Sequence, residues 1–307
     1  MDADPVLTPA DLKDWSFAGT ALAVLGHPIS HSLSPLMHNA ALKQLSRRHP
    51  EYKAWRYFRF DVPPAKLKAT LKSLQKAGFL GVNLTVPHKI LAVPMVAKVA
   101  AEATPIGAVN TLRLHHAKEY HGFNTDGYGL SEALKEAFGF NVRGKHVILL
   151  GAGGAARSAA VECLQRGCAS LWIANRTQGT LAALLTTLQP LAGKRPLQGF
   201  APGKRPPDLP KGAVVINATS VGLDPKDPPP IDLKTLPRPE AVFDMVYNPP
   251  ETALLRQAKA LRIRRGNGLG MLVHQGAKAL ELWTGVKAWR TAPAMARAVA
   301  RARSAHP

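Results

Sequence analysis

The stretch KHVILLGAGGAARSAAVECLQRGCASLWIANRT, residues 145–177, constrains the fold more than any other part of the chain. Its apolar run HVILL shows no alternation, the mark of a strand buried on both faces of a sheet. A glycine turn, an alanine-rich helix and a second buried strand, SLWIA, follow. Parallel neighbours need such a crossover, so this segment commits the second half of the chain to a parallel sheet with helices packed on it. Gly151, Gly153 and Ala156 fit G-x-G-x-x-G/A. The first glycine permits the tight turn, the second lets a pyrophosphate approach backbone N–H groups, and the small third residue lets the helix pack on the strand. Gly151, Ala152, Gly153, Gly154 and Ala155 are therefore the candidate pyrophosphate corner of a dinucleotide site.

The end of the second strand selects between two dinucleotides. NAD-specific folds place Asp or Glu there to hold the ribose hydroxyls. This chain has Asn175, Arg176 and Thr177. A carboxylate would repel a 2′-phosphate, whereas Arg176 can grip one with a forked, charge-assisted pair of hydrogen bonds. The reading is NADP. Strands over 213–220 and 241–248 extend this sheet, and the Pro-rich segments 201–210 and 224–239 connect as loops. A helix over 251–261, a basic strand RIRR and the glycine turn GNGLG (266–270) follow. An amphipathic helix then presents Met271, Gln275 and Lys278, and a last basic helix starts at about Pro293.

The first half alternates in the same way: a strand at 20–26, a helix from about Ser34, a strand at 54–60, a helix at 63–77 closed by Gly78, and a strand at 81–86. In the last of these, GVNLTVPHK, apolar Val82, Leu84 and Val86 alternate with Asn83 and Thr85, a strand with one apolar and one polar face. Pro87 is placed to start a helix over 87–101. That groups Asn83, Thr85 and Lys89 at one strand-to-helix corner, where a first-turn lysine would feel the positive end of the macrodipole and suit proton transfer. The loop GHPISHSLSP offers Ser30, Ser32 and Ser34 before a helix with Pro35 at its first position, a seat for a carboxylate with Ser34 as N-cap. Asn110 and Asp126 end the segments GAVNTLRL and YHGFNTDG.

At 307 residues the chain has room for two domains of ordinary size. Forty Lys+Arg against 20 Asp+Glu give a net charge of +20. The basic residues are dispersed: Lys66, Lys68, Lys72 and Lys76 flank one helix stripe, while Lys194, Arg195, Lys204, Arg205 and Lys211 sit in a Pro/Gly-rich loop. With no basic–aromatic interleaving, this reads as a solvated surface that favours anionic ligands, and no nucleic acid or membrane partner is expected. Cys163 and Cys168, five apart within one helix, are expected to be reduced, partly buried thiols, with no metal set. The acidic, polar N-terminus reads as neither secretory signal nor transit peptide, and no apolar run reaches the roughly 20 residues of a membrane helix, so a cytoplasmic protein is expected.

Nine motifs in order, SLSP (32–35), GVNLTVPHK (81–89), GAVNT (107–111), FNTDG (123–127), GAGGA (151–155), ANRT (174–177), NATSVG (217–222), DMVYNP (244–249) and GLGMLVHQGA (268–277), closely resemble the shikimate dehydrogenase family across residues 20–285. The resemblance implies a two-domain α/β enzyme: an N-terminal substrate domain with a mostly parallel sheet (1–125 plus 268–307), a Rossmann-type NADP-binding domain (126–267), and an active site in the cleft between them. It implies NADP-dependent, reversible reduction of 3-dehydroshikimate to shikimate in chorismate and aromatic amino-acid biosynthesis. By position, Ser32 and Ser34 would hold the substrate carboxylate, with Tyr247 nearby. Asn83, Thr85, Asn110, Asp126 and Gln275 would contact ring hydroxyls and carbonyl, and Lys89, paired with Asp126, would be the acid/base. Gly151–Ala155 would hold the pyrophosphate, Asn175–Thr177 the adenosine phosphate, and Met245 and Gly268 would lie along the nicotinamide half.

The chain departs from the family in two places. Thr180 stands where many NADP-using members carry a second basic residue, which leaves a 2′-phosphate on one guanidinium. Leu280 stands where an aromatic is common, a matter of packing. Two rival readings follow: a quinate/shikimate dehydrogenase tolerating NAD, and a non-catalytic basic protein binding nucleotide or nucleic acid on the same fold. A monomer or homodimer is expected.

Overall fold

The computed structural model describes residues 5–115, 119–204 and 206–304. Its contacts divide the chain into two compact units, residues 1–125 with 273–307 and residues 126–272.

The first unit opens with strand β1 (Thr20–Gly26), helix α1 (Ser34–Leu45), strand β2 (Trp55–Asp61), helix α2 (Leu67–Lys76) and strand β3 (Gly81–Leu84). A one-turn helix α3 (His88–Leu91) and the short strand β4 (Lys98–Val99) lead to the hairpin strands β5 (Thr111–Leu114) and β6 (Tyr120–Phe123). The sheet order is β2-β1-β3-β5-β6-β4. β1 pairs parallel with β2 and β3, while β5 runs antiparallel to both β3 and β6. Leu67, Leu71 and Leu74 of α2 are buried in this unit's core with Leu25, Phe60, Val82 and Leu112, as their spacing predicts.

Strand β3 differs from its expected form. It ends at Leu84, and all four of its residues are buried. Its second face is covered rather than solvated: a side chain at Gly81 would strike the Trp283 ring, whose Nε1–H donates to Leu112 O at 3.0 Å. The expected helix over 87–101 is also corrected. α3 stops at Leu91, a 3₁₀ turn spans Val93–Met95, and Lys98 and Val99 are extended. Pro94 cannot donate the backbone bond that would continue the helix.

The second unit begins with helix α4 (Asp126–Phe138), which sequence periodicity does not single out. Strand β7 (His146–Leu150), helix α5 (Gly154–Gln165), strand β8 (Ser170–Ala174), helix α6 (Gln178–Ala192) and strand β9 (Leu197–Phe200) follow. Then come strands β10 (Val214–Asn217) and β11 (Ala241–Asp244), helix α7 (Ala253–Ala260) and strand β12 (Arg264–Asn267). All pairings are parallel, and the order β12-β11-β10-β7-β8-β9 reverses at β7, the switch point of a Rossmann sheet. Helix α8 (Leu269–Thr284) carries the chain from this unit to the first, and helix α9 (Ala288–Ser304) packs there against α1.

Several local expectations change. Cys168 lies beyond α5, after Gly167 with φ +78° turns the chain, and both cysteines are buried and unpaired. The last helix begins at Ala288, not Pro293, which lies inside it. The loop around 194–211 contains β9, and its Arg195 donates to Leu191, Ala192 and Leu164 carbonyls at two helix ends. Arg205 lies outside the described residues. Nor is the basic charge wholly dispersed, because Arg47 and Arg48 after α1 meet Trp289, Arg290 and Arg297 of α9 in one groove. No helix among the described residues is long and apolar enough to cross a membrane.

Candidate active site

In the first unit the chemistry-bearing side chains gather where β1, β3 and β5 meet α1 and α8. Ser34 does not cap α1; Leu33 holds that position. Instead Ser32 Oγ accepts from the Ser34 N–H at 3.3 Å, and Ser34 is buried as the first residue of the helix. Arg59 donates to the carbonyls of Ser30 and Ser32, which fixes the course of the serine loop.

Asn83 is inside this cluster, not on a wetted face. Its Nδ2 donates to Asn110 O at 3.1 Å and to Thr111 Oγ1 at 3.0 Å, and its Oδ1 accepts from Tyr57 at 2.8 Å. Asn110 Oδ1 accepts from the Thr125 backbone N–H and from Thr111 Oγ1, both at 2.9 Å, while its Nδ2 reaches Gln275 Oε1 at 3.4 Å. Gln275, whose place on the surface or in a site the sequence left open, is thus half-buried and tied to Asn110. The amide orientations follow from backbone atoms, since a carbonyl can only accept and an N–H can only donate.

The corner after β3 holds Thr85 and Lys89, both half-buried. Thr85 donates its N–H to Leu25 O and accepts from His88 N–H, and Lys89 O accepts from Val109 N–H at 2.8 Å. That last bond pins Lys89 next to the strand end that carries Asn110. His88 is buried with Nε2 on Val62 O at 2.8 Å, and burial pushes its imidazole below the usual range. A one-turn helix sums few peptide dipoles, so α3 adds little of the macrodipole expected there.

The second unit carries Asp126 and the nucleotide corner. Asp126 is buried as the first residue of α4. Gly151 turns at φ +108°, and a Cβ there would lie 3.1 Å from Ala218 O at the end of β10. Gly153 caps α5 with no side-chain bond, so the first N–H groups of a 12-residue helix face outward past a position with nothing within 4 Å of an added Cβ. Ala156 is fully buried against the sheet. A cradle of bare backbone at the Rossmann switch point fits a dinucleotide pyrophosphate. At the end of β8, Asn175 Nδ2 donates to Thr177 O at 2.9 Å, closing a turn that leaves Arg176 exposed, and Thr180 is exposed as well.

Met245 and Gly268 are brought together: a Cβ on Gly268 would lie 2.0 Å from Met245 O. Tyr247 is half-buried in the same loop. Sequence reasoning assigned no role to the residues that shape this edge. Asn217 donates to Asp244 Oδ1 at 2.9 Å, Thr252 Oγ1 donates to Asp244 Oδ2 at 2.6 Å, and Val246 N–H donates to Asp244 Oδ1. Burial raises the Asp244 carboxyl above its usual range, against those three bonds that favour its charged form. Tyr57, Thr111 and Thr125 in the first unit also escaped notice. Each sits within a β-strand pattern or loop where a hydroxyl gives no local signal. Among the described residues no cluster of His, Cys, Asp and Glu fits a metal.

A Rossmann unit with a bare glycine corner, joined in one chain to an α/β unit with a polar cluster at its strand ends, defines a two-domain NADP-dependent oxidoreductase. Residues 24–112 match the Shikimate dehydrogenase substrate binding domain, and residues 268–299 match the Shikimate 5'-dehydrogenase C-terminal domain. Shikimate dehydrogenase (NADP(+)) of Methanopyrus kandleri is 38% identical over 270 residues, 87% of this chain and 91% of that one. The same enzyme of Moorella thermoacetica is 42% identical over 280 residues, covering 88% and 90%. A crystal structure of shikimate 5-dehydrogenase from Thermus thermophilus in complex with NADP(H) and shikimate superposes with a TM-score of 0.76 at 38% identity, covering 91% and 99%. The chain belongs to the shikimate dehydrogenase family.

Proposed function

We propose that this chain interconverts 3-dehydroshikimate and shikimate with NADP(H), with Lys89 as the acid/base. The first unit binds substrate and the second binds cofactor. The observation that carries the reading is the single hydrogen-bonded cluster of Asn83, Asn110 and Gln275, with Lys89 tied through its backbone to the residue before Asn110. A polyhydroxylated ring acid needs such a surface: serine hydroxyls for its carboxylate and amides for its hydroxyls.

Bound NADPH supplies the hydride. As the ketone is reduced, negative charge develops on its oxygen, and the Lys89 ammonium stabilises that charge and donates the proton, worth roughly 10²–10⁴-fold in rate. In the other direction the Lys89 amine takes the proton back. Asp126 is the carboxylate proposed to accept from a substrate hydroxyl and orient the lysine. Ser32 and Ser34 hold the substrate carboxylate, with Tyr247 as a further hydroxyl, and Thr85 contributes a ring contact. Gly151–Ala155 bind the pyrophosphate, Asn175–Thr177 the adenosine phosphate, and Met245 and Gly268 border the nicotinamide. The buried, unpaired thiols support a reducing, cytoplasmic setting.

Spectrophotometric NADPH formation from shikimate tests the proposal directly. Turnover with shikimate and NADP is expected; absence of turnover, or faster turnover of quinate with NAD, overturns it.

A further inference from the structure

Tyr57 lies on β2, is fully buried and takes no part in the proton transfer proposed for Lys89. Yet its backbone and its ring are both held by α1. Asn39 Oδ1 accepts from the Tyr57 N–H at 2.9 Å, and Asn39 Nδ2 donates to the Tyr57 carbonyl at 3.0 Å, so one side chain mimics a neighbouring strand. The His38 ring lies flat on the Tyr57 ring, with centroids 4.1 Å apart and planes 1° from parallel. Neither nitrogen of His38 has a hydrogen-bond partner, and burial pushes its pKa down to about 3. His38 therefore acts as a neutral plate, not as a charge. Gly276 of α8 keeps the space behind it open, since a Cβ there would fall 3.2 Å from His38 Nε2 and 2.4 Å from Met37 Cε.

What this clamp holds in place is the phenol. Its hydroxyl donates to Asn83 Oδ1 at 2.8 Å. Both hydrogens of the Asn83 amide are already engaged, one by a backbone carbonyl that fixes the amide's orientation. Asn83 therefore meets a ligand only through the remaining lone pair of Oδ1, as an acceptor. A phenol on the other lone pair fixes where that acceptor points.

We propose that Tyr57 is a positioning residue for the hydroxyl seat at Asn83, so that the ring acid meets an amide acceptor already aimed by one clamped phenol oxygen. This rests on the shikimate reading above. It acts on ground-state binding of the ring acid, and neither on the cofactor nor on proton transfer.

The test is steady-state kinetics on full-length Tyr57→Phe, which keeps the ring and its stack and removes only the hydroxyl. The shikimate KM should rise about fivefold to tenfold, with kcat within about threefold, as expected for one lost hydrogen bond that acts on binding alone. The KM for NADP and the thermal midpoint should stay near wild type. Thr111→Val, which breaks the next link between Asn83 and Asn110, should give the same split. The double variant Tyr57→Phe/Thr111→Val should lose less shikimate affinity than the product of the single losses, because both groups act through Asn83. A folded Tyr57→Phe with an unchanged shikimate KM overturns the proposal, as does a parallel rise in the KM for NADP, which would mark general loosening. A wild-type enzyme that turns over no shikimate overturns the functional reading itself and this inference with it.

Discussion

Two strand-to-helix corners, one in each unit, are built by opposite means for the ligands proposed for them. The corner after β7 is Gly151–Gly153 and opens a 12-residue helix with no side-chain cap, so recognition falls to backbone N–H groups and an aligned dipole. The corner after β3 runs from Thr85 to Lys89 and opens a helix of one turn, so its chemistry falls to side chains and the network behind them. The difference teaches that helix length and side-chain bulk decide together. A long helix behind glycines makes a general seat for phosphate. A short turn behind Asn, Thr and Lys leaves side chains to do the discriminating in the seat proposed for the substrate.

The largest test of this contrast is Lys89→Ala. If side chains carry the first corner, kcat should fall by roughly 10²–10⁴-fold while shikimate still binds by calorimetry; an unchanged kcat removes Lys89 from the reaction. Next is Arg176→Ala, which should raise the KM for NADP by about 10–100-fold and leave that for NAD nearly unaltered, the range for a charge-assisted bond. Equal effects on both cofactors would contradict the phosphate role. Thr180→Lys should act oppositely and sharpen the preference for NADP.

Gly153→Ala probes the second corner with a single methyl group. No atom lies within 4 Å of the added Cβ and φ is −79°, so the thermal midpoint should hold. Pyrophosphate contact should nonetheless suffer, with the KM for NADP rising several-fold, on the order of one hydrogen bond. A cofactor KM that does not move would mean that the backbone there is not the seat. The smallest effect concerns neither corner. Glu281 accepts from Ala288 N–H at 2.9 Å at the start of α9 and pairs with Lys278 at 3.1 Å and Lys287 at 3.6 Å. Burial raises its carboxyl, and those partners outweigh it to leave the group lowered overall. A lowered carboxylate adds stability above its unfolded pKa and loses it as pH falls through the folded value. Glu281→Gln should therefore melt a few degrees lower than wild type near neutrality, on the order of 1 kcal/mol or less, and the gap should close in acid.

The two corners were also unequally legible. Strand, glycine turn and helix are consecutive in residues 146–165, so their geometry is written locally: Gly151 has its reason in a φ of +108° and Ala156 in its packing, while Gly153 leaves open space before the helix. Arg176 was legible for the same reason, as a residue at a countable distance from that turn. The substrate-side cluster was legible as a roster but not as an arrangement. GVNLTVPHK reads as half-wetted, because nothing nearby in sequence announces that Trp283, about 200 residues on, covers its polar face. The helix expected over 87–101 failed on Pro94, and α4 went unread because Gly127 and Gly129 near its start weaken the helical signal.

The sequence by itself determined the alternating α/β architecture, the glycine turn between β7 and α5, the reading of NADP as cofactor and the identity of the polar residues, since each depends on spacing along one segment. Tertiary structure alone decided which way those polar groups face: that Ser34 lies buried inside α1 instead of capping it, that Asn83 is left as an acceptor, and that Gln275 joins Asn110. The physical reason is that a buried amide takes its orientation from whichever donors and acceptors the fold brings to it. Those partners come from α1, β2, β5 and α8, elements far apart in the chain.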